Sequence, residues 1–513
     1  MPARLFNGDA CERRQRSGQT KRRSESTPHK NRGDRFFLRR GLFYGVRVDN
    51  LLKPCENPGD IAVDSNMRHS RARGWYARGL CSLAFCTFVA SSSKAGQTAV
   101  PRSIAAEANS GVASGQTPSS QDHVHGATSD WSLGLDGVTF ATFDRQGARR
   151  GETQFNSQNW FMAMGMGRLP RGTLTLSAGL SAEPFTVGKA GYSEIFQVGE
   201  AFHNLQVTDR QHPHDLVMQL AGAWRVPIGK QVSYTLAGGV VGEPALGPVA
   251  FIHRASSSEN PTAPLSHHIF DSTHIAAGVV TMGVDRGPFA IEGSVFRGRE
   301  PDEDRYDVDF GALDSWSARV WFRPASEWAI QGSYGYLHEP EQLEPGDQRR
   351  TNGSVSWLRQ RGSNFLAATA AVGRNARRFS TVRALLLEIT GTSGRTSLYS
   401  RFEALTVETE ILLFPQIVHR PHPGELVDPL RELTSGIVRD VADIHGFRVG
   451  IGGDVVFYGV PEFLKLTHDP HPVSYHVFVR VRPPARGGRM WNMTMGQPMG
   501  DSTNGHHGVA REP

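Results

Sequence analysis

From residue 131 onward, apolar and polar side chains alternate in short segments that are separated by polar or Gly- and Pro-rich turns. In segment 475–482, for example, Val477, Val479 and Val481 share one face, and a histidine, a phenylalanine and two arginines share the other. A period of two residues is that of a β-strand with two different faces. About fifteen such segments, each near ten residues long, predict an all-β fold.

Two all-β architectures compete for this pattern, a soluble β-sandwich and a membrane barrel. Segments of about ten residues suit strands that cross a bilayer at a tilt. Tight turns alternate with long connections, as periplasmic turns and external loops do in outer-membrane proteins. The long connections are 182–213, 242–272, 299–314, 337–351 and 406–444. We therefore predict a transmembrane antiparallel β-barrel of about 14 strands, within a range of about 12–16.

Composition divides the chain into two parts. The first 95 residues hold 19 Lys and Arg against 8 Asp and Glu, whereas the other 418 hold 37 against 42. All four cysteines lie in the first part, so the body cannot use disulfides, thiolate ligands or a cysteine nucleophile. A mildly acidic body also argues against a nucleic-acid partner. No apolar run approaches the roughly 20 residues of a membrane-spanning helix.

The basic leader contains a secretory signal. Residues 67–95 combine an arginine-rich start, a short apolar stretch at 80–90 and a small-residue cleavage site. Residues 1–66 are predicted to be disordered or a mis-assigned upstream extension, and 96–129 a flexible linker. The barrel then spans 130–482, and a flexible tail follows at 483–513. This order predicts Sec export to the outer membrane of a Gram-negative cell, with outer-membrane lipid as a partner.

Of the 20 histidines, 18 lie after residue 95. Most of those within the predicted barrel fall in its loops. Imidazole and carboxylate groups together suit borderline metal ions. His212 and His214 would share one face of an extended segment, because they are two residues apart. The predicted ligands in these loops are His212, His214, Asp215, His267, His268, Asp271 and His274. The alternative is that these side chains order the loops or a plug; 182–213 is long enough to fold inward.

The tail offers a second metal-binding pattern. Four of the eleven methionines lie between residues 490 and 499, and His506 and His507 follow. Thioether and imidazole ligands suit copper, especially Cu(I). Met493, Met495, His506 and His507 are therefore predicted as ligands, with copper or another divalent metal as the bound ion. The alternative is a low-complexity terminus without a metal.

Four stretches resemble a largely uncharacterised family of bacterial outer-membrane β-barrel proteins. They are DRQHPHDLVMQLA at 209–221, GEPALGPVAFIHR at 242–254, NPTAPLSHHIFDSTHIAAGVVTMGV at 260–284 and GSVFRGREPDEDRYD at 293–307. The resemblance covers roughly 130–482. It implies a barrel fold and an association with heavy-metal efflux and copper-resistance loci. It carries no catalytic residues, and it directs attention to 200–307, including Glu300.

Three functional hypotheses follow. The first is an outer-membrane barrel for heavy-metal, copper-like handling or cation passage, which would work with components of efflux or resistance systems. The second is a porin-like or structural barrel whose histidines only order the loops. The third is an outer-membrane hydrolase, for which no nucleophile elbow, zinc-protease motif or phosphate-binding loop is present. We expect the protein not to be an enzyme.

Overall fold

A computed structural model describes residues 131–378, 380–414, 426–486 and 488–497. The predictions for the leader, the signal and the linker, and those for His506 and His507, lie outside the described residues. Among the described residues, sixteen antiparallel strands close into one barrel, and two further strands form a hairpin. The first barrel strand pairs with the last, with Thr139 opposite Val481. No helix within the described residues is long and apolar enough to cross a membrane.

The sixteen barrel strands are antiparallel neighbours along the chain, except that β3 pairs with β6. They are β1 (Trp131–Arg145), β2 (Thr153–Leu169), β3 (Gly172–Leu180), β6 (Val217–Ile228), β7 (Val232–Gly242), β8 (Ala276–Arg286), β9 (Phe289–Phe296), β10 (Ser315–Phe322), β11 (Trp328–Leu337), β12 (Gln348–Arg361), β13 (Asn364–Ala376), β14 (Thr381–Ser393), β15 (Thr396–Glu408), β16 (Val427–Ile444), β17 (Phe447–Gly459) and β18 (Val473–Arg482). The separate hairpin is β4 (Tyr192–Phe202) with β5 (Leu205–Gln211).

Helical turns occur only in the connections, as far as the described chain extends. The α-helices are α1 (Glu183–Thr186), α2 (His267–Phe270), α3 (Thr409–Leu413) and α4 (Lys465–His468). The 3-10 turns are Phe251–His253, Ala255–Ser257, Ser272–Ile275 and Glu462–Leu464.

The strand number is sixteen rather than the predicted 14, although it falls inside the predicted range. The strand without a counterpart among the roughly fifteen predicted segments is β16, which lies within the predicted long loop 406–444. Its outward side chains Leu433 and Ile437 are exposed, but a proline and six charged residues interrupt the apolar pattern. Glu432 and Thr434, which flank Leu433, are buried in the lumen, where polar groups are expected.

The outer surface of the barrel is apolar and its interior is polar. In β14, Leu387 and Ile389 are exposed, whereas Glu388 and Thr390, which alternate with them, are buried. Because successive strand residues face opposite sides, this alternation places leucine and isoleucine toward lipid and carboxylate toward the lumen. A closed barrel with this exterior confirms the predicted transmembrane β-barrel and its outer-membrane location.

One end of the barrel carries tight connections and the other carries long ones. The tight connections include 170–171, 229–231, 287–288, 362–363, 394–395 and 445–446. Short turns lie on the periplasmic side of such barrels, so the long connections form the extracellular end.

The connection between β7 and β8, residues 243–275, folds into the lumen, and we call it the inner loop. It contacts strands on opposite sides of the barrel. Arg254 pairs with Glu388 of β14, and the backbone oxygen of Thr262 accepts a hydrogen bond from Arg401 of β15. Arg480 of β18 also binds the loop, and seven strands further around the ring of sixteen the backbone N–H of Ala245 donates to a serine of β9. The inner loop therefore crosses the lumen.

The end of the described chain also lies inside the barrel. Residues 488–497 follow β18, and we call them the inner tail. The backbone N–H of Met490 donates to Asp136 of β1 over 2.8 Å, and Arg489 forms an ion pair with the same carboxylate. Met493 and Met495 are each 4% exposed. The inner tail is thus packed against the barrel wall, which differs from the flexible tail that the sequence predicted for 483–513.

Candidate metal centre

Five of the predicted histidines meet in one cluster at the extracellular end of the lumen. His212 and His214 come from the segment after β5, and three others come from the inner loop. Neighbouring ring centroids are 5.4 Å apart for His214–His274, 5.2 Å for His274–His267, 5.3 Å for His267–His268 and 5.4 Å for His268–His212. Residues separated by more than fifty positions in the chain therefore form a continuous row of imidazoles.

Carboxylate and carbonyl oxygens hold these rings through one nitrogen each. His214 Nδ1 lies 2.9 Å from Glu183 Oε2, and His267 Nδ1 lies 2.8 Å from Asp271 Oδ1. His274 Nδ1 donates to the backbone oxygen of Asp271 over 2.8 Å. This is how metal-binding imidazoles are commonly oriented, with the remaining nitrogen left as the ligand atom.

The opposite nitrogens of several rings have no hydrogen-bond partner although they are buried. They are Nε2 of His212, His214 and His274. Burial also lowers the pKa of His212 and of His274 well below the usual range. Both rings are therefore neutral near pH 7, and a neutral imidazole whose Nδ1 donates offers an Nε2 lone pair.

The tightest group of ligand atoms joins three connections. His268 of the inner loop, Glu300 of the β9–β10 connection and Glu341 of the β11–β12 connection place one ligand atom each within 4.8 Å of one another. We call these three residues the outer triad. Both carboxylate oxygens of Glu300 and both ring nitrogens of His268 are buried without a hydrogen bond, although His268 Nδ1 lies 3.4 Å from Glu300 Oε1.

The outer triad places a positive and a negative charge side by side. Burial alone would lower the pKa of His268, but the carboxylate of Glu300 raises that pKa to about 9. Burial and the negative charge of Glu300 raise the pKa of Glu341 to about 7. Without a metal ion, the triad therefore holds an imidazolium beside an ionised carboxylate. A divalent cation would replace that proton and satisfy both carboxylates.

Two predicted ligands hold the surrounding structure in place. Asp215 Oδ1 lies 3.2 Å from Arg305, whose guanidinium also binds Glu200. Asp271 pairs with Arg254 over 2.7 Å as well as with His267. The structure thus brings Asp215 and Asp271 to the cluster, where both are already engaged by arginine.

The tail ligands lie apart from the outer triad. Met493 packs in a hydrophobic cluster with Trp160 of β2, and Met495 packs in another with Phe296 of β9. The structure brings neither of them into the outer triad.

Sequence reasoning missed Glu183 and Glu341. Each is one of three glutamates in its connection, and no spacing to the histidines marks it as a ligand. Glu300 lies in a stretch that the family resemblance had marked. Three aspartates near it, Asp302, Asp307 and Asp309, form a second group of ligand atoms within 4.8 Å, but two of them are exposed.

No protein-family model matches the sequence, and no curated protein matches it either. Several solved outer-membrane proteins are similar in structure. OmpT lacking loop L8, an outer membrane protein of Vibrio cholerae, is 8% identical, with a TM-score of 0.41 over 69% of this chain and 99% of that chain. The anion-selective porin from Comamonas acidovorans is 11% identical, with a TM-score of 0.40 over 69% and 99%. Pseudomonas putida OprB is 8% identical, with a TM-score of 0.41 over 69% and 94%.

Proposed function

We propose that this outer-membrane barrel binds a divalent transition-metal ion at the outer triad and takes part in handling such ions at the cell surface. The observation that carries the proposal is the pair of side chains His268 and Glu300. They are 11% and 7% exposed, and His268 Nδ1 lies 3.4 Å from Glu300 Oε1. His268 Nε2 and Glu300 Oε2 are buried without a hydrogen bond. Buried polar groups are almost always satisfied, and a cation bound by both side chains would satisfy them.

The donor set indicates the class of ion. Imidazole suits zinc, copper, nickel and iron, whereas carboxylates extend the range toward manganese. One imidazole and two carboxylates with two negative charges match a dication. The copper association implied by the family resemblance is compatible with this set, which does not select copper over zinc or cobalt.

The other imidazoles extend the site into the lumen. His267 lies 5.3 Å from His268 between ring centroids, and His274 and His214 continue the row. Because Nδ1 of each of His267, His274 and His214 contacts an oxygen atom at 2.8–2.9 Å, the orientation of these rings is fixed. Each imidazole in the row is therefore a neighbour of the next, so a dication bound at the outer triad could be passed from one ring to another toward the lumen.

Cobalt titration of the purified full-length protein tests the proposal. Co(II) bound by imidazole and carboxylates gives visible absorption, and Zn(II) should displace it. We expect one site whose affinity falls at least tenfold in His268→Ala and in Glu300→Gln. His203→Ala is the matched control, because His203 lies in a nearby loop with its side chain 73% exposed. Equal affinity in all four proteins would refute the outer triad as a metal site.

A porin-like barrel is the second candidate, and the closed sixteen-strand architecture favours it. The inner loop and the inner tail both occupy the lumen, so an open pore of porin width is not expected. Conductance in planar bilayers distinguishes the two candidates. A large ohmic conductance of the unmodified protein, together with no Co(II) binding, would support the porin-like function.

A further inference from the structure

A small cavity lies between the barrel wall and the inner loop. Its volume is about 20 Å³, which is enough for one water-sized occupant. The barrel contributes Met162 of β2 and Met218 of β6, and the inner loop contributes His253 and His274. The lining thus combines two thioethers and two imidazoles with one carboxylate, that of Glu243, around a space of atomic size.

The two imidazoles present unsatisfied nitrogens. His253 is 4% exposed and its Nδ1 has no hydrogen-bond partner. His274 is 7% exposed, and its Nε2 has no partner while its Nδ1 is held by a backbone oxygen. These are two buried nitrogens without partners among the residues that line one cavity.

Methionine is concentrated around the same place. Met162, Met164, Met218, Met490 and Met493 belong to one buried cluster, so five of the eleven methionines of the chain meet there. Methionine is also an ordinary core residue that fills irregular gaps. The two buried imidazole nitrogens beside the thioethers nevertheless need a partner, which an occupant of the cavity would supply.

The inner tail covers this region. The backbone N–H of Asn492 donates to the backbone oxygen of His253 over 2.8 Å. The edge of the Trp160 indole packs against the His253 ring, with 5.1 Å between centroids. His253 is therefore fixed from two sides, as a ligand in a small rigid site must be.

We propose that this cavity is a second metal site, in which Met162, Met218, His253 and His274 bind a soft monovalent cation of the Cu(I) and Ag(I) class. The one carboxylate in the lining, that of Glu243, lies 3.5 Å from the guanidinium of Arg319. The donors left for an ion are therefore thioethers and imidazoles, which favour soft ions over hard dications. The proposal goes beyond the divalent ion at the outer triad and does not require that ion. It needs no electron transfer, because the cation is bound in the oxidation state in which it arrives.

Silver titration tests this site, because Ag(I) is a redox-inert probe of the same class. The four cysteines of the purified full-length protein, all before residue 95, are first alkylated so that their thiols cannot bind silver. The protein is then titrated with Ag(I) by calorimetry, and X-ray absorption at the silver edge reports the donor atoms. We expect one tight site with sulfur and nitrogen donors. The double variant Met162→Leu, Met218→Leu removes both sulfurs at nearly constant volume and should weaken binding at least tenfold.

Met164→Leu is the matched control, because Met164 belongs to the same cluster but does not line the cavity. Its Ag(I) affinity should stay within twofold of the unmodified protein. Equal weakening in both variants, or silver in the unmodified protein without sulfur donors, would overturn the proposal and leave a bound water as the occupant. The absorption measurement needs no variant, so it decides even if the double variant fails to fold.

Co(II) titration of the same samples separates the two proposals. If the double variant loses silver binding but still binds cobalt, the change is confined to the cavity site. His268→Ala should show the reverse behaviour, because His268 belongs to the outer triad and does not line the cavity.

Discussion

Replacing Arg254 with methionine should release the inner loop from the barrel wall. The guanidinium makes hydrogen bonds of 2.9 and 3.2 Å to Glu388 of β14 and of 2.7 Å to Asp271. Arg254, Glu388 and Asp271 are each at most 2% exposed. Arg254→Met preserves much of the side-chain volume but leaves two buried carboxylates without their arginine.

The expected cost follows from this burial. Removing one partner of a buried ion pair costs about 3–5 kcal/mol, since the remaining charge stays in a poorly solvated place. If that cost opposes docking of the inner loop, the ratio of molecules with a docked loop to molecules with a released loop falls. The decrease is between about one hundredfold and several thousandfold. An exposed pair should cost about 0–1 kcal/mol. Arg359→Met provides that comparison, because Arg359 and Glu327 are 51% and 40% exposed.

Two measurements follow the released loop. Conductance in planar bilayers should rise in Arg254→Met, and chymotrypsin should cleave at Phe251 or Phe270 of the loop. Adding Glu388→Gln removes one of the two unpaired carboxylate charges, so part of the population should again have the inner loop docked in the lumen. Unchanged conductance and unchanged resistance to chymotrypsin in Arg254→Met would refute the idea that this ion pair holds the loop in the lumen.

Two further predictions concern the triad and the effect of acid. A Cβ at Gly199 would lie 2.2 Å from His268 Nε2, whereas one at Gly332 would meet nothing within 4 Å. Gly199→Ala should therefore lower Co(II) affinity at least tenfold and Gly332→Ala should not; equal affinities would contradict this position of the ring. Burial would raise the pKa of Glu259, but Arg480 and a neighbouring arginine hold it below the usual value. The ion pairs of Glu259 therefore hold the inner loop in the lumen above about pH 4.5. They weaken as the pH falls through the lowered pKa of Glu259, because its carboxylate becomes protonated. Conductance should rise below that pH, and Glu259→Gln should abolish this step; the same acid response in the variant would exclude Glu259 as its source.

The barrel could be predicted from the sequence because lipid imposes a strict alternation on its strands. That rule fails where polar residues lie on the outward face near the ends of a strand. In β16, Pro429, Arg431 and Arg439 are exposed on the same face as Leu433 and Ile437, so the apolar series is too short to predict a strand. Its identity depends on pairing with β15 and β17, which a single sequence does not contain.

The histidines of the candidate site were predictable by residue type but not by arrangement. His212 and His268 come from separate connections and meet only because the inner loop folds back into the barrel. Glu341 comes from a third connection, with no pattern that relates it to His268. Long-range placement of this kind depends on tertiary packing, so residue spacing could not reveal it.

The inner loop also has a consequence for the order of assembly. It leaves the wall between β7 and β8, yet Glu388, Arg401 and Arg480, which bind it, belong to β14, β15 and β18. Until β14, β15 and β18 have joined the wall, Arg254 and Glu259 of the loop lack their partners on these strands. Its docking can be completed only after the last strand pairs with the first. The polar interior therefore couples ring closure to loop docking, and an incompletely closed barrel would leave its own inner loop exposed to periplasmic proteases.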